Sequence, residues 1–253
     1  MRMRYAILLF CAAVFGIGAQ AAPRLGLPEA AKSQLVSTDV VVAIRQPAIY
    51  IALPHGTLAQ TIIAGPIPEL IELGTNAVRT AQMTDDVMTL RTALTGYDFD
   101  QTFVAEIKSA LATQPFLNVA NVMLTKDVSA NLENSLTQSK AAAVLVIWVD
   151  YHLDKDAWAL TLTVGANLYP NSDALKALRQ GAPNDHPLAP RNAIYRSVLS
   201  RSQLLPGLKS KDSREMYIAG WSADNAAQMR DAMHYLSANL ANKLAADLAV
   251  TAN

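Results

Sequence analysis

Cysteine is almost missing from this chain: among 253 residues there is one, Cys11, and it lies in the first apolar run. A chain with so little cysteine has no disulfide framework, no thiolate metal cluster and no Cys-x-x-Cys redox motif. Charge is sparse too, at 17% of residues, and 21 basic side chains balance 21 acidic ones. That balance argues against nucleic-acid binding, which needs a basic excess. Aromatic residues make up only 6% and apolar residues 51%, the composition of a folded globular chain rather than a disordered one. Beyond the first residues there is no long hydrophobic run. The longest, Ala141 to Val149, falls well short of the roughly 20 residues a membrane-crossing helix needs and reads as a buried strand.

What stands at the N-terminus has the three parts of an export signal. Arg2 and Arg4 form a positive start, Tyr5 to Ile17 an apolar centre, and Ala19-Gln20-Ala21 offers the small residues that signal peptidase accepts. Cleavage before Ala22 is the expectation, with residues 1–21 a signal peptide and the mature chain in the periplasm. Phe10 before Cys11 is unlike a lipid-attachment site, so Cys11 leaves with the signal and the mature chain holds no cysteine. Loss of Arg2 and Arg4 leaves 19 basic residues against 21 acidic, a net charge of −2. No transmembrane segment is expected after signal removal.

Residues 22–37 hold Pro23 and Pro28 and little periodicity, and read as a tether. A single domain over 38–253 is expected to follow. Val40 to Ile44 and Ile49 to Leu53 are β-branched runs parted by Pro47. Pro66 and Pro68 open a short helix through Leu73, and Val78 to Leu94 is helical by spacing. Asp98 or Asp100 caps a helix in which Phe99, Phe103, Ile107 and Leu111 share one face. Pro115 stops it, and Phe116 to Leu124 reads as a strand. Ser129 to Lys140 is a surface helix with Leu132 and Leu136 inward. Val144 to Val149 and Trp158 to Val164 form an antiparallel hairpin, at about 143–168. Four prolines make 170–192 a long excursion, with a short helix around Asp173 to Leu178. Ala193 to Leu199 reads as a strand ending at the Pro206-Gly207 turn. Met229, Met233, Leu236, Leu240, Leu244 and Leu248 mark a long C-terminal amphipathic helix, with Ser222 or Asp224 as its cap. The order predicts an α/β (α+β) fold, a mixed sheet with helices packed on it.

Chemistry-bearing motifs are scarce. There is no G-x-S-x-G elbow, no H-E-x-x-H, no P-loop and no dinucleotide fingerprint, and no cofactor is expected. Strand alternation places Asp150, His152 and Asp154 on one face at the hairpin end. Two carboxylates and an imidazole suit a divalent metal or acid–base work. A solvated hairpin end has the same polarity, and both readings stand. From Arg191 to Arg214 the chain carries Arg191, Arg196, Arg201, Lys209, Lys211 and Arg214 against one acid, Asp212. That segment is a candidate surface for an envelope protein or an anionic envelope component, and equally an ordinary solvated loop and edge strand. Trp221, with Tyr217, is either part of a recognition pocket or an anchor beneath the last helix.

From Tyr97 to Tyr169 the order is helix (Asp98–Thr113), strand (Phe116–Leu124), helix (Ser129–Lys140), an Ala-rich lead into Val144–Val149, and a returning strand (Trp158–Leu168). With the opening strand Val40–Ile44, this resembles the α/β domains of periplasmic envelope proteins such as the TolB N-terminal domain, LpoB and CsgG. The resemblance implies a non-enzymatic module that docks other envelope proteins, and it carries over no functional residue. The expectation is an exported, non-catalytic accessory or binding protein of the bacterial cell envelope. The alternative is a periplasmic hydrolase or small-ligand or metal-binding protein with its site around His152.

Overall fold

The computed structural model describes residues 24–44, 46, 48–52, 87–126, 130–207 and 212–252. Its centre is a five-stranded sheet in the order β3-β2-β4-β5-β6. The strands are β2 (Thr38–Ile44), β3 (Val119–Thr125), β4 (Ala143–Leu153), β5 (Ala159–Pro170) and β6 (Tyr195–Leu204). β2 runs parallel to both β3 and β4, while β4, β5 and β6 form an antiparallel meander. This is the expected mixed sheet with packed helices. The two parallel neighbours of β2 account for its unbroken Val40-Val41-Val42: a strand covered on both faces has no polar side to show.

One sheet face carries Val40, Val42, Leu145, Ile147 and Val149 against the Phe99–Ala112 helix and the C-terminal Arg214–Ala249 helix. Phe103, Ile107, Met229, Leu236, Leu240 and Leu244, the apolar stripes legible in the sequence, are all fully buried there. Each such side chain contributes roughly 1.5–3 kcal/mol by leaving water. The opposite face carries Val41, Ala43, Val144 and Val146 beneath Leu132 and Leu136 of the Ala130–Gln138 helix, with Leu188 and Ala193 of the excursion. Asp98 caps the Phe99–Ala112 helix as expected, its carboxylate accepting from the Gln101 N–H at 3.0 Å.

Several boundaries differ from the expectation. The tether of 22–37 is built into the fold from Leu25 onward: Leu27, Ala31 and Leu35 are buried, and β1 (Leu27–Pro28) pairs with β7 (Thr251–Ala252). Leu27 stands between Gly26 and Pro28, in a run too short for periodicity to reveal its burial. The second β-branched run makes a single parallel bridge, Ile51 to Leu153, in place of a strand. Pro115–Leu117 forms a 3-10 turn that delays β3 to Val119, and β6 runs on to Leu204. Of the helix expected over Val78 to Leu94, Met88–Ala93 is present. Its earlier part, the helix expected over Pro66–Leu73 and the expected signal peptide lie outside the described residues.

The C-terminal helix begins at Arg214, with the Ser213 hydroxyl accepting from the Met216 N–H. Neither Ser222 nor Asp224 starts it. A break falls where they stand: Asp224, Asn225 and Ala226 take φ of 52°, 57° and 59° in the left-handed region, after an extended Ala223. Tyr217 and Trp221 therefore lie on a first helical segment, parted from the second by this break.

Candidate functional site

β4 presents alternate side chains to the two faces, and Asp150 and His152 emerge together on the face opposite the C-terminal helix. Asp150 Oδ2 accepts from His152 Nδ1 at 2.8 Å, and Asp150 Oδ1 accepts from the Tyr50 hydroxyl at 2.7 Å. The carboxylate is almost fully buried, at 3% exposure, with both oxygens satisfied. Tyr50 reaches it because the Ile51 bridge lays residues 49–52 alongside the end of β4. Its ring lies 5.6 Å from that of His152, centroid to centroid. Burial first, and the Asp150 charge second, hold the Tyr50 hydroxyl far above its ordinary ionisation range.

The register extends this polarity across three strands. Asp150 lies opposite Thr163 and Thr163 opposite Ser200, while His152 lies opposite Thr161 and Thr161 opposite Ser202. The hydroxyls are paired, Thr163 with Ser200 at 2.9 Å and Thr161 with Ser202 at 2.7 Å. An Nδ1–H donated to Asp150 leaves His152 Nε2 as a proton acceptor, the arrangement of an oriented base.

Asp154 does not join this pair. Its Oδ1 accepts from the Ala159 N–H at 3.1 Å and closes the β4–β5 turn. Burial raises its carboxyl pKa, against backbone hydrogen bonds that lower it. Strand alternation ends at Leu153, so the spacing that put three residues on one face in the sequence holds for only two. Among the described residues no three of His, Cys, Asp and Glu converge as metal ligands. Of the other histidines, His186 pairs with Glu133 at 3.1 Å and His234 with Glu106 at 3.6 Å, both on the surface. His55 lies outside the described residues.

The basic segment is not one surface. Arg191 is exposed on the Pro190–Asn192 turn. Arg196 and Arg201, an odd number of residues apart on β6, project to opposite faces. Arg196 is half-buried, and that burial lowers its guanidinium pKa. Arg201 lies over the C-terminal helix, where it donates to Asn239 Oδ1 at 2.6 Å and to the Tyr235 hydroxyl at 2.8 Å. Arg214 opens the last helix, and Lys209 and Lys211 lie outside the described residues. Of the two readings of Trp221 the structure takes the anchor and not the recognition pocket: it is fully buried, with Nε1–H donating to the Ala157 carbonyl at 2.8 Å.

Two feature classes were not legible in the sequence. Tyr50 stands 100 positions from the carboxylate it binds, and no local pattern links them. The second is the outer edge of β6. Leu25 and Arg196 exchange two backbone hydrogen bonds, at 3.0 and 2.9 Å, in an antiparallel bridge. Since Arg196 turns both backbone groups outward, alternation turns those of Val198, Ser200, Ser202 and Leu204 outward as well. These four side chains are exposed, and no described strand pairs with that part of the edge.

Two open clefts lie elsewhere on the described surface. One of about 440 Å³ lies between the end of β5 and the excursion, beside Tyr169, Asn171, Lys176 and Arg179. Another of about 390 Å³ is lined by Tyr97, Asp98, Asp100, Lys126 and Tyr151. Neither contains the Asp150–His152 pair. No helix among the described residues is long and apolar enough to cross a membrane.

No protein-family model matches the chain, and no curated protein matches it. Among solved structures it is similar to the PelC dodecamer from Paraburkholderia phytofirmans, at 11% identity, 88% coverage of this chain, 94% of that one and a TM-score of 0.31. It is also similar to a variant of that dodecamer, at 11% identity, 82% and 89% coverage and a TM-score of 0.26. Likeness this slight carries neither fold nor function across.

Proposed function

We propose that the chain is exported to the periplasm and acts there as a non-catalytic accessory or binding protein of the cell envelope. Its docking element is the outer edge of β6, which takes up an extended segment of an envelope protein. The observation that carries this reading is the Leu25–Arg196 bridge: the edge already accepts one antiparallel residue, then continues to Leu204 with no partner strand among the described residues. An open edge of this kind is a template for strand addition. The resemblance to TolB-, LpoB- and CsgG-type domains read from the sequence, and the signal-like N-terminus, supply the context. A protein partner fits better than a polyanion, because Arg196 and Arg201 project to opposite faces and form no common basic surface. Affinity purification from cross-linked envelopes is the test. Recovery of a discrete adduct with another envelope protein is expected, and repeated recovery of the chain alone overturns the reading.

A second reading rests on the Tyr50–Asp150–His152 chain, which orients an imidazole as a base or a single metal ligand. It predicts an activity, or a metal-induced rise in melting temperature, that His152→Ala abolishes. A substitution that changes neither disposes of it.

A further inference from the structure

The β6 edge carries a cation that is placed but not neutralised. Arg201 is held by two neutral acceptors, the Tyr235 hydroxyl and Asn239 Oδ1, and its guanidinium lies 5.3 Å from the centroid of the Tyr235 ring. Among the described residues no carboxylate pairs with it. Both Arg201 and Tyr235 are exposed. A guanidinium fixed in this way has lost much of its rotamer freedom before any ligand arrives, and two of its N–H donors are engaged by Asn239 and Tyr235, which leaves the others for an anion.

Its position on the strand determines which anion can reach it. In an antiparallel addition, the incoming residue directly opposite Arg201 projects to the same face, at the spacing of a cross-strand pair. That residue meets the guanidinium beside Tyr235, while its flanking neighbours lie over Val198, Ser200 and Ser202 on the other face. A second copy of β6 is a poor occupant. The longest self-pairing that clears Leu25 sets Val198 against Leu204 and Arg201 against its own symmetry mate, two like charges face to face.

We infer that the β6 edge selects an acidic extended peptide, with a Glu or Asp side chain seated on Arg201 and small or apolar residues on either side. This rests on the docking role proposed for β6 and names the chemistry of its partner. A cross-linked envelope protein recovered without any acidic preference would refute this inference and leave the docking role standing.

The test uses synthetic heptapeptides, acetyl-Thr-Val-Thr-Glu-Thr-Val-Thr-amide and its counterpart with Gln at the centre, titrated into the mature chain. Binding is followed by fluorescence anisotropy and by backbone amide shifts. The Glu peptide is expected to bind about three- to fivefold tighter, the range of an exposed ion pair. Shifts should concentrate at residues 198–204. Arg201→Gln should erase the difference between the peptides, and Tyr235→Phe, which loosens the guanidinium without removing it, should reduce it. Equal binding of both peptides overturns the inference, as does absence of binding. Arg201-dependent binding to phosphatidylglycerol vesicles with no peptide bound also overturns it, in favour of an anionic surface.

Discussion

The Tyr50 hydroxyl donates to Asp150 Oδ1 at 2.7 Å and so ties the segment after β2 to the central strand β4. Tyr50→Phe removes that donor and leaves a buried carboxylate oxygen unsatisfied. A loss of about 1–3 kcal/mol follows. A lower urea midpoint at unchanged slope is the expected result, and an unchanged midpoint would mean that the bond contributes nothing.

Four tyrosines set the alkaline limit of the fold. Burial is the leading cause that raises the pKa of Tyr50, Tyr151, Tyr169 and Tyr195, with Asp150 adding to it at Tyr50 and Asp247 at Tyr195. The folded state therefore holds these protons more tightly than the unfolded state does. Their contribution is complete below the ordinary tyrosine value of 10.0 and is lost as pH climbs beyond it. Phenolate absorbance should rise for these residues together with unfolding. Smooth ionisation above that pH with the fold intact would contradict the burial assigned to them.

The break in the C-terminal helix depends on three residues in left-handed conformation, of which Asn225 is exposed. Asn tolerates that region, and a β-branched residue does not. Asn225→Val should cost about 1–2 kcal/mol, whereas Asn225→Gly should cost nothing measurable. Equal melting temperatures for the two variants would argue for a straight helix.

Trp221→Phe tests the anchor beneath the first segment of that helix. It deletes the donor to Ala157, a residue itself at φ 60°, and opens a cavity in a fully buried site. Destabilisation of about 2–4 kcal/mol is expected. A surface tryptophan would lose little.

Regular periodicity in the sequence matched the structure closely. The β-branched Val40 to Ile44, the continuous Val144 to Val149, the four-residue steps from Phe99 to Leu111 and the Asp98 cap all appear as expected, because burial in a repeating element writes itself at fixed spacing. Relationships across long separations left no such trace. Tyr50 with Asp150, Leu25 with Arg196 and Arg201 with Tyr235 exist only once the sheet is assembled. The six basic residues of 191–214 looked like a cluster because sequence proximity ignores the two-residue alternation of a strand, which parts Arg196 from Arg201. Asp154 misled for the opposite reason, since alternation stopped one residue before it.

The docking claim is tested most directly by a photo-reactive amino acid placed at Ser202 on the β6 edge and, in a separate variant, at the exposed Ser109 of the Phe99–Ala112 helix. Irradiation of intact cells should give a discrete adduct with an envelope protein from the Ser202 position and none from Ser109. Adducts from Ser109 alone, or from neither position, would contradict the claim that this edge is where the chain meets its partner.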